Sequence, residues 1–180
     1  MMSKPNPALS LLIVTVLIVS GCSLAWHKKA WTQKGVAGEW QLQVPSGLVH
    51  ELDLNRDAIL ELHSPDADFF LVLRRDSLLK LRKAHSDFVL EDFLDLSIEK
   101  LIESVSDPAV PQAAPTYLHE RPAHRATITG VYKNDPVRYE LAIIKGPVFM
   151  YQLLIWIPEA MKDRYQPMIE QVIQSTEVVH

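Results

Sequence analysis

Val148 to Ile157 reads VFMYQLLIWI, and Gln152 is the only polar residue in it. A strand with one face in water alternates apolar and polar residues, so an unbroken apolar run predicts a strand that is covered on both faces. Turn residues flank the run, with Gly146 and Pro147 before it and Pro158 after it. The segment therefore predicts a central strand of a sheet that has one layer of structure above it and another below it.

Further strands are predicted on the N-terminal side of this run. The nearest two cover Arg125 to Lys133 and Val137 to Lys145, separated by the turn residues NDP (Asn134 to Pro136), which favours consecutive antiparallel hairpins. Three more strands are predicted to open the domain as a meander: Trp40 to Val44, Ala58 to His63 and Asp68 to Arg74.

Apolar residues at helical spacing predict two helices. One contains Leu90, Leu94, Ile98, Leu101 and Val105, and the closing helix contains Tyr165, Met168, Ile169, Val172 and Ile173. Asp107 to Pro115 has three prolines and predicts a loop after the first helix. The expected fold class is α+β, with an antiparallel β-sheet flanked by helices in an α/β/α sandwich.

Composition limits the classes of function. The chain has 180 residues, enough for one domain, with 48% hydrophobic residues and a formal net charge of -4. This charge argues against a basic nucleic-acid binder, so no nucleic-acid partner is expected. The single cysteine, Cys22, excludes an intramolecular disulfide and a multi-cysteine metal site.

Cys22 stands at the end of the most apolar part of the chain. The run from Ala8 to Val19 follows Lys4 and has the build of a secretory signal peptide. It ends in Val19-Ser20-Gly21-Cys22, which resembles the bacterial lipobox. The resemblance implies a lipoprotein signal peptide over residues 1–21, cleavage between Gly21 and Cys22, and a diacylglycerol on the Cys22 sulfur.

An uncleaved membrane anchor over Ala8 to Trp26 is the alternative. It would favour basic residues before the helix, but Lys4 stands alone there and Lys28, Lys29 and Lys34 follow. The residue after the cysteine is Ser23, which resembles the pattern sent to the outer membrane in Gram-negative bacteria. We therefore expect an outer-membrane lipoprotein of the bacterial cell envelope that faces the periplasm. In a Gram-positive host it would lie on the outer face of the cell membrane.

Residues 22–37 show no clear periodicity and are interpreted as the lipidated N-terminus and a tether, with a single domain over residues 38–180. Trp26 and Trp31, with three lysines in the same segment, favour a position at the membrane interface; the lysines are Lys28, Lys29 and Lys34. A mobile linker is an equally good interpretation.

The order of these elements resembles the PsbP-like α/β/α sandwich over roughly Trp40 to Val179. The resemblance rests on Val44-Pro45 at the end of a strand, RPAHRATITG (Arg121 to Gly130), and a last helix that ends in IQSTE (Ile173 to Glu177). That family contains the extrinsic PsbP subunit of photosystem II, a Ran-binding nuclear import factor and many bacterial envelope lipoproteins. The resemblance implies binding or assembly, without a catalytic constellation.

Two segments could hold a metal. Asp53 to Asp57 (DLNRD) begins like a calcium loop, but Ala58 stands where a glycine is needed and Ser64 where a glutamate is needed, so a solvated turn is the better interpretation. His119, Glu120 and His124 flank a proline, and a hairpin could join the two imidazoles, although ordinary surface residues would give the same pattern. No metal or other cofactor is predicted.

The common signatures of hydrolases, nucleotide-binding proteins and metalloproteases are absent from the sequence, so no catalytic residue is predicted. The function expected is that of a lipid-anchored, non-catalytic binding or assembly module, with the membrane and an envelope protein as partners. Two alternatives stay open: an envelope hydrolase or metal-dependent enzyme that uses His119 and His124, and a carrier that holds a small apolar ligand between helix and sheet.

One charge pattern is a candidate interaction site. The basic segment consists of Arg74, Arg75, Lys80, Arg82 and Lys83, and it directly precedes the acidic face of the first helix, Glu91 to Glu103. Either the basic segment binds anionic headgroups or an acidic partner, or it pairs with that acidic face within the domain.

Overall fold

The computed structural model describes residues 30–50, 55–110 and 113–179 of the chain. The strands in these ranges are β1 (Trp31–Val36), β2 (Trp40–Pro45), β3 (Val49–His50), β4 (Ala58–Ser64), β5 (Ala67–Ser77), β6 (Ser106–Ala109), β7 (Ala114–Leu118), β8 (Arg121–Tyr132), β9 (Asp135–Lys145), β10 (Phe149–Pro158) and β11 (Glu177–Val178). The α-helices are α1 (Leu78–Ala84), α2 (Leu90–Ile102) and α3 (Lys162–Gln174), and a 3₁₀ turn at Glu159–Met161 precedes α3.

Strand β10 lies near the middle of an eight-stranded antiparallel sheet in the order β3-β4-β5-β10-β9-β8-β6, in which β7 also pairs with β8. It pairs with β5 from Phe149 to Trp156 and with β9 from Met150 to Pro158. Tyr151 and Leu153 on one face of β10, and Met150 on the other, are inaccessible to solvent. The predicted central strand with two covered faces is confirmed.

The α3 face of the large sheet is covered by α3 together with a second sheet of three strands, in the order β1-β2-β11. All five apolar residues predicted for the closing helix are buried in the core on this face. Their neighbours include Leu42 of β2, Phe69 of β5 and Leu153 of β10. The layer on this face is therefore part helix and part sheet.

The α2 face of the large sheet is covered by the other two helices. Phe93 and Leu94 of α2 pack with Ile128 of β8 and Leu141 of β9. Leu78 of α1 joins the same apolar cluster. The α+β fold class, an antiparallel sheet between two layers that contain helices, is confirmed.

The N-terminal boundary of the domain was predicted wrongly. Residues 31–36 were assigned to the tether, but they form β1, which pairs with β2 from Trp31 opposite Pro45 to Val36 opposite Trp40. The sequence of β1 does not alternate, because most of its side chains are exposed and no core selects their polarity. Strand β2 was also misplaced, because it belongs to the small sheet, and the meander consists of β3, β4 and β5.

The proline-rich segment Asp107 to Pro115 is only partly a loop. Strands β6 and β7 take up its two ends. Both pair with the side of β8 that lies away from β9, where the described ranges contain no further strand. Proline removes one backbone donor, which an edge strand can spare. Pro108 and Pro115 occupy such edge positions, so the prolines did not prevent pairing.

Candidate functional site

The basic segment divides in the folded chain. Arg75 points to the α3 face, where it forms an ion pair with Glu39 and its guanidinium carbon lies 4.5 Å from the centre of the Phe149 ring. Arg74 points to the α2 face and forms an ion pair of 2.7 Å with Asp76. The acidic partners of these two arginines therefore come from the β1–β2 turn and from β5, and neither comes from α2.

The other three members of the basic segment lie on α1. Lys80, Arg82 and Lys83 are exposed, and none of them forms an ion pair with another residue in the described ranges. Strand β5 leads directly into this short helix, whose first residue, Leu78, is buried and anchors it to the α2 face. The candidate interaction site is thus smaller than the five predicted residues and lies at one end of the sheet.

Apolar side chains adjoin these cations. The Leu78 N–H donates to Val148 O at 3.0 Å, which joins α1 to the turn between β9 and β10. Leu79 is 66% exposed and Val148 is 53% exposed. We call the surface formed by Leu79, Lys80, Arg82, Lys83 and Val148 the α1 edge.

The two histidines predicted as a metal pair are not brought together. His119 lies in the β7–β8 turn, and its Nε2 is 2.8 Å from Gln174 O at the end of α3. The Nε2 atom of His124 lies 3.2 Å from Glu91 Oε1, at the start of α2 on the opposite face of the sheet. No cluster of three or more possible metal ligands occurs within residues 30–50, 55–110 and 113–179.

The DLNRD segment is described only from Asn55 onward, so Asp53 lies outside the described residues. The Asp57 N–H donates to the side-chain oxygen of Asn55 at 3.0 Å, and the Ala58 N–H donates to the Asn55 carbonyl at 3.0 Å. These are the hydrogen bonds of a local turn built on an asparagine side chain.

A polar network on the α3 face was not predicted. Arg125 of β8 donates to both carboxylate oxygens of Glu170 on α3, at 2.8 and 2.6 Å, and Gln166 donates to the same carboxylate. The hydrogen bond to Glu170 raises the pKa of Arg125, and the same bond lowers the pKa of Glu170. Both groups stay charged near neutral pH, so the pair holds α3 to the sheet and neither group exchanges a proton there.

Glu140 of β9 forms a second polar group on the same face. It is 4% exposed, and it accepts hydrogen bonds from Arg138 Nε at 2.7 Å and from the Thr127 hydroxyl at 3.0 Å. A buried carboxylate costs free energy unless it is paired, and these two donors supply the pairing. Charged residues inside otherwise apolar strands were the sequence signal, but the sequence does not show which partners would satisfy them.

Aromatic side chains form a row across four neighbouring strands on the α2 face. Strand register places His63, Phe70, Trp156 and Tyr139 opposite one another in turn on β4, β5, β10 and β9. The Phe70 and Trp156 rings stack with centroids 4.8 Å apart and planes 7° apart. His63, Phe70 and Trp156 are only half-buried, because α2 packs over β8 and β9 instead.

An open groove of about 950 Å³ lies beside α2. The end of α1, the α1–α2 connection and α2 line it. Its lining includes the exposed Val89 and Leu96 and four carboxylates: Asp87, Asp92, Asp95 and Glu99. Among the described residues, none that belongs to a sheet lines it. The carrier hypothesis requires a pocket between helix and sheet, so this groove does not supply the predicted site.

The lipidation site, Cys22, and the cleavage site at Gly21 lie outside the described residues, as do Trp26, Lys28 and Lys29. Among the helices of the described ranges, none is long and apolar enough to cross a membrane.

Solved structures with the same fold agree with this architecture. Cyanobacterial PsbP (CyanoP) from Synechocystis sp. PCC 6803 matches with a TM-score of 0.64 at 10% identity, over 96% of this chain and 99% of that chain. LpqN, described as involved in cell envelope biogenesis of Mycobacterium tuberculosis, matches with a TM-score of 0.58 at 12% identity, over 85% of this chain and 92% of that chain. PA94 of Pseudomonas aeruginosa, a protein of unknown function, matches with a TM-score of 0.53 at 14% identity, over 81% and 94%.

At these identities the matches establish the fold, which is the PsbP-like α/β/α sandwich, and leave function open. No protein-family model matches the sequence, and no curated protein matches it.

Proposed function

We propose that this protein is a lipid-anchored, non-catalytic binding or assembly module of the bacterial cell envelope. The observation that carries the proposal is the lipobox-like Val19-Ser20-Gly21-Cys22, which stands directly before a folded domain whose first strand begins at Trp31. Cleavage at Cys22 would leave a mature chain in which eight Cα–Cα steps separate the lipid from Ala30. Two or three acyl chains on such an N-terminus would hold the domain stably at a membrane.

The fold gives independent support. One of the structures that share it, LpqN, is described as involved in cell envelope biogenesis. The proposed address is the outer membrane, facing the periplasm, because Ser23 follows the cysteine. In this proposal the domain binds a partner protein of the cell envelope.

A non-catalytic role is supported by how the ionisable groups are used. The carboxylate of Glu170 is held by Arg125, and that of Glu140 is held by Arg138. The alternative of a metal-dependent enzyme required His119 and His124 to converge, and they bind groups on opposite faces of the sheet. In both pairs an arginine holds the carboxylate within the fold, which supports a structural use of these groups.

The anchor is tested by intact mass of the protein extracted with detergent from its native host, comparing the wild type with Cys22→Ser. We expect a mature chain that starts at Cys22 and carries the added mass of acyl groups, and we expect the variant to lose that mass. Ser23→Ala is the matched control, because it changes a neighbouring residue and leaves the thiol in place. A chain that retains Met1, or that carries no acyl group, would refute the proposal.

The partner is tested with the acylated protein by crosslinking in intact cells. A crosslinked envelope protein that is lost from Cys22→Ser cells but retained in Ser23→Ala cells would support an assembly role at the membrane. Turnover of a defined substrate that depends on His119 or His124 would instead favour the enzyme.

A further inference from the structure

We propose that the α1 edge rests on the anionic lipid headgroups of the membrane that holds the N-terminal acyl chains, and that this contact orients the domain. The inference rests on the proposed function, because it requires the lipid on Cys22. It assigns a partner of stated chemistry to three cations and two aliphatic side chains that the interior of the domain does not use.

The apolar part of the α1 edge is exposed although the chain has a large core in which to bury such residues. Leu79 is 66% exposed, whereas its neighbour Leu78 is 6% exposed. Val148 projects from the adjoining β9–β10 turn, which is held to α1 by the hydrogen bond from Leu78 N to Val148 O. The backbone bond thus places two exposed aliphatic residues at the same end of the sheet, next to the basic residues of α1.

The charged side chains of the α1 edge are all basic. Lys80, Arg82 and Lys83 lie on the same seven-residue helix as Leu79, and Arg82 and Lys83 follow it at the three- and four-residue spacing of one helix face. Two carboxylates at this end of the sheet, Asp76 and Glu39, are already paired with Arg74 and Arg75. Basic side chains around an exposed aliphatic residue fit a membrane surface, where headgroup anions meet the acyl region.

The acidic surface of the domain begins immediately after α1. The groove along α2 contains Asp87, Asp92 and Asp95, and Glu91 is also exposed. An anionic membrane would attract the α1 edge and repel this neighbouring surface. The two surfaces together therefore favour one orientation, with α1 toward the lipid and the acidic face of α2 turned away from it.

The length of the N-terminal segment allows this contact. Val36 lies at the same end of the fold, because the β1–β2 turn carries Glu39, which pairs with Arg75, and Arg75 lies over Phe149. Trp31, at the other end of β1, is about 17 Å away along the strand. The eight Cα–Cα steps from Cys22 to Ala30 span up to about 27 Å when extended, so the lipid can reach the plane of the α1 edge.

The test uses the acylated full-length protein, purified from its host with its acyl mass verified and reconstituted in vesicles. Leu79→Cys introduces a thiol that is the only free one in the chain, since Cys22 is acylated, and this thiol is labelled with a fluorophore sensitive to polarity. Tyr132→Cys is the matched control. Tyr132 is an exposed apolar residue beside a cation, Lys133, and it lies at the end of β8 that is far from the α1 edge. Vesicles contain either phosphatidylcholine alone or phosphatidylcholine with phosphatidylglycerol.

We expect brominated lipids to quench the label at position 79 at least about threefold more than the label at position 132 in vesicles with phosphatidylglycerol. The difference should fall in phosphatidylcholine alone and in about 1 M salt, where the Debye length is about 3 Å. Lys80→Gln with Lys83→Gln should reduce the quenching at position 79, whereas Lys100→Gln, an exposed lysine on α2, should not. Equal unfolding midpoints would show that the variants fold alike.

Equal quenching at positions 79 and 132 in an acylated protein would overturn the orientation and leave the proposed function intact. The orientation would also be overturned if the label at position 79 became shielded from water only when other envelope proteins are added, because the partner would then be a protein. A purified chain without acyl mass would overturn the proposed function, and with it this inference.

Discussion

The two faces of strand β10 are built from adjacent residues but are covered to different extents. Leu153 and Ile155 point to the α3 face and are fully buried, whereas Leu154 and Trp156 point to the α2 face and are only half-buried. The α3 face is closed by a helix and a second sheet, while on the α2 face the helix packs over β8 and β9. An apolar strand thus requires two covering layers, but the width of each layer decides how deeply each side chain is buried.

The polar groups of the two faces differ in the same way. The α3 face contains the ion pair between Arg125 and Glu170 and the buried carboxylate of Glu140, each with a partner. The half-open part of the α2 face contains stacked rings, among them Phe70 and Trp156. Both faces contain ion pairs, since Arg74 pairs with Asp76 on the α2 face. The buried carboxylate of Glu140 lies on the closed face, whereas the stacked amphipathic rings lie on the open face at the boundary with water.

The sharpest test of this difference is a pair of truncations in β10. Leu153→Ala should lower the free energy of unfolding by about 3–4 kcal/mol, because it leaves a cavity in a closed core. Leu154→Ala should cost about 1–1.5 kcal/mol, because water and neighbouring side chains can fill the space on the half-open face. Urea unfolding of both variants measures the difference, and equal losses would show that the two faces are equally closed.

The stacked rings are the next test. A double-mutant cycle with Phe70→Ala and Trp156→Ala should give a coupling of about 0.5–1.5 kcal/mol, as expected for a close aromatic pair. Phe70→Ala with Phe149→Ala is the control, because Phe149 lies on the same strand as Trp156 but contacts Arg75 at its other end. Additive losses in the Phe70–Trp156 cycle would mean that the stacking contributes nothing beyond burial.

The smallest effect is expected at the ion pair. The pKa of Glu170 is lowered in the folded protein, so its stabilisation is present above the ordinary glutamate pKa and is lost as the pH falls through the lowered value. Glu170→Gln should therefore lower the free energy of unfolding by about 1 kcal/mol at pH 7. The effect is small because the ion pair is partly exposed and water screens it. The cost should shrink at acidic pH, where the wild-type carboxyl is also protonated.

Urea unfolding at several pH values measures this dependence, with Glu103→Gln, an exposed residue outside any ion pair within the described ranges, as the control. A difference between wild type and Glu170→Gln that stays constant down to pH 3 would contradict the lowered pKa.

Much of the fold could be predicted because long elements carry their own pattern. The apolar run of β10 indicated two layers, the turn residues between β8, β9 and β10 indicated hairpins, and the stripe of α3 indicated its buried face, all of which the structure confirms. Helix α1 was not predicted, and β2 was assigned to the wrong sheet. The other errors fell on β1, β6 and β7, which are short and largely exposed. Such strands form because a partner strand has free backbone hydrogen-bonding groups. The local sequence of the short strand does not show that such a partner is present.

The candidate site was predicted in part for a related reason. The five cations of the basic segment form a cluster in the sequence. Arg74 and Arg75 nevertheless point to opposite faces of the sheet, because successive side chains of a strand alternate between its two faces. Lys80, Arg82 and Lys83 remain exposed together because they lie on one short helix. The hydrogen bond from Leu78 N to Val148 O, which joins α1 to the β9–β10 turn, links residues that are distant in sequence.

By itself, the sequence determined the α+β class, the central strand, the burial of α3 and the lipobox-like segment around Cys22, because each depends on neighbours along the chain. Only the tertiary structure decided which carboxylates pair with Arg125 and Arg138, that His119 and His124 lie on opposite faces, and that an apolar and basic surface forms at the α1 edge. The physical reason is that pairing across a sheet and packing between layers join residues by position in space, and that position is set by the whole chain folding together.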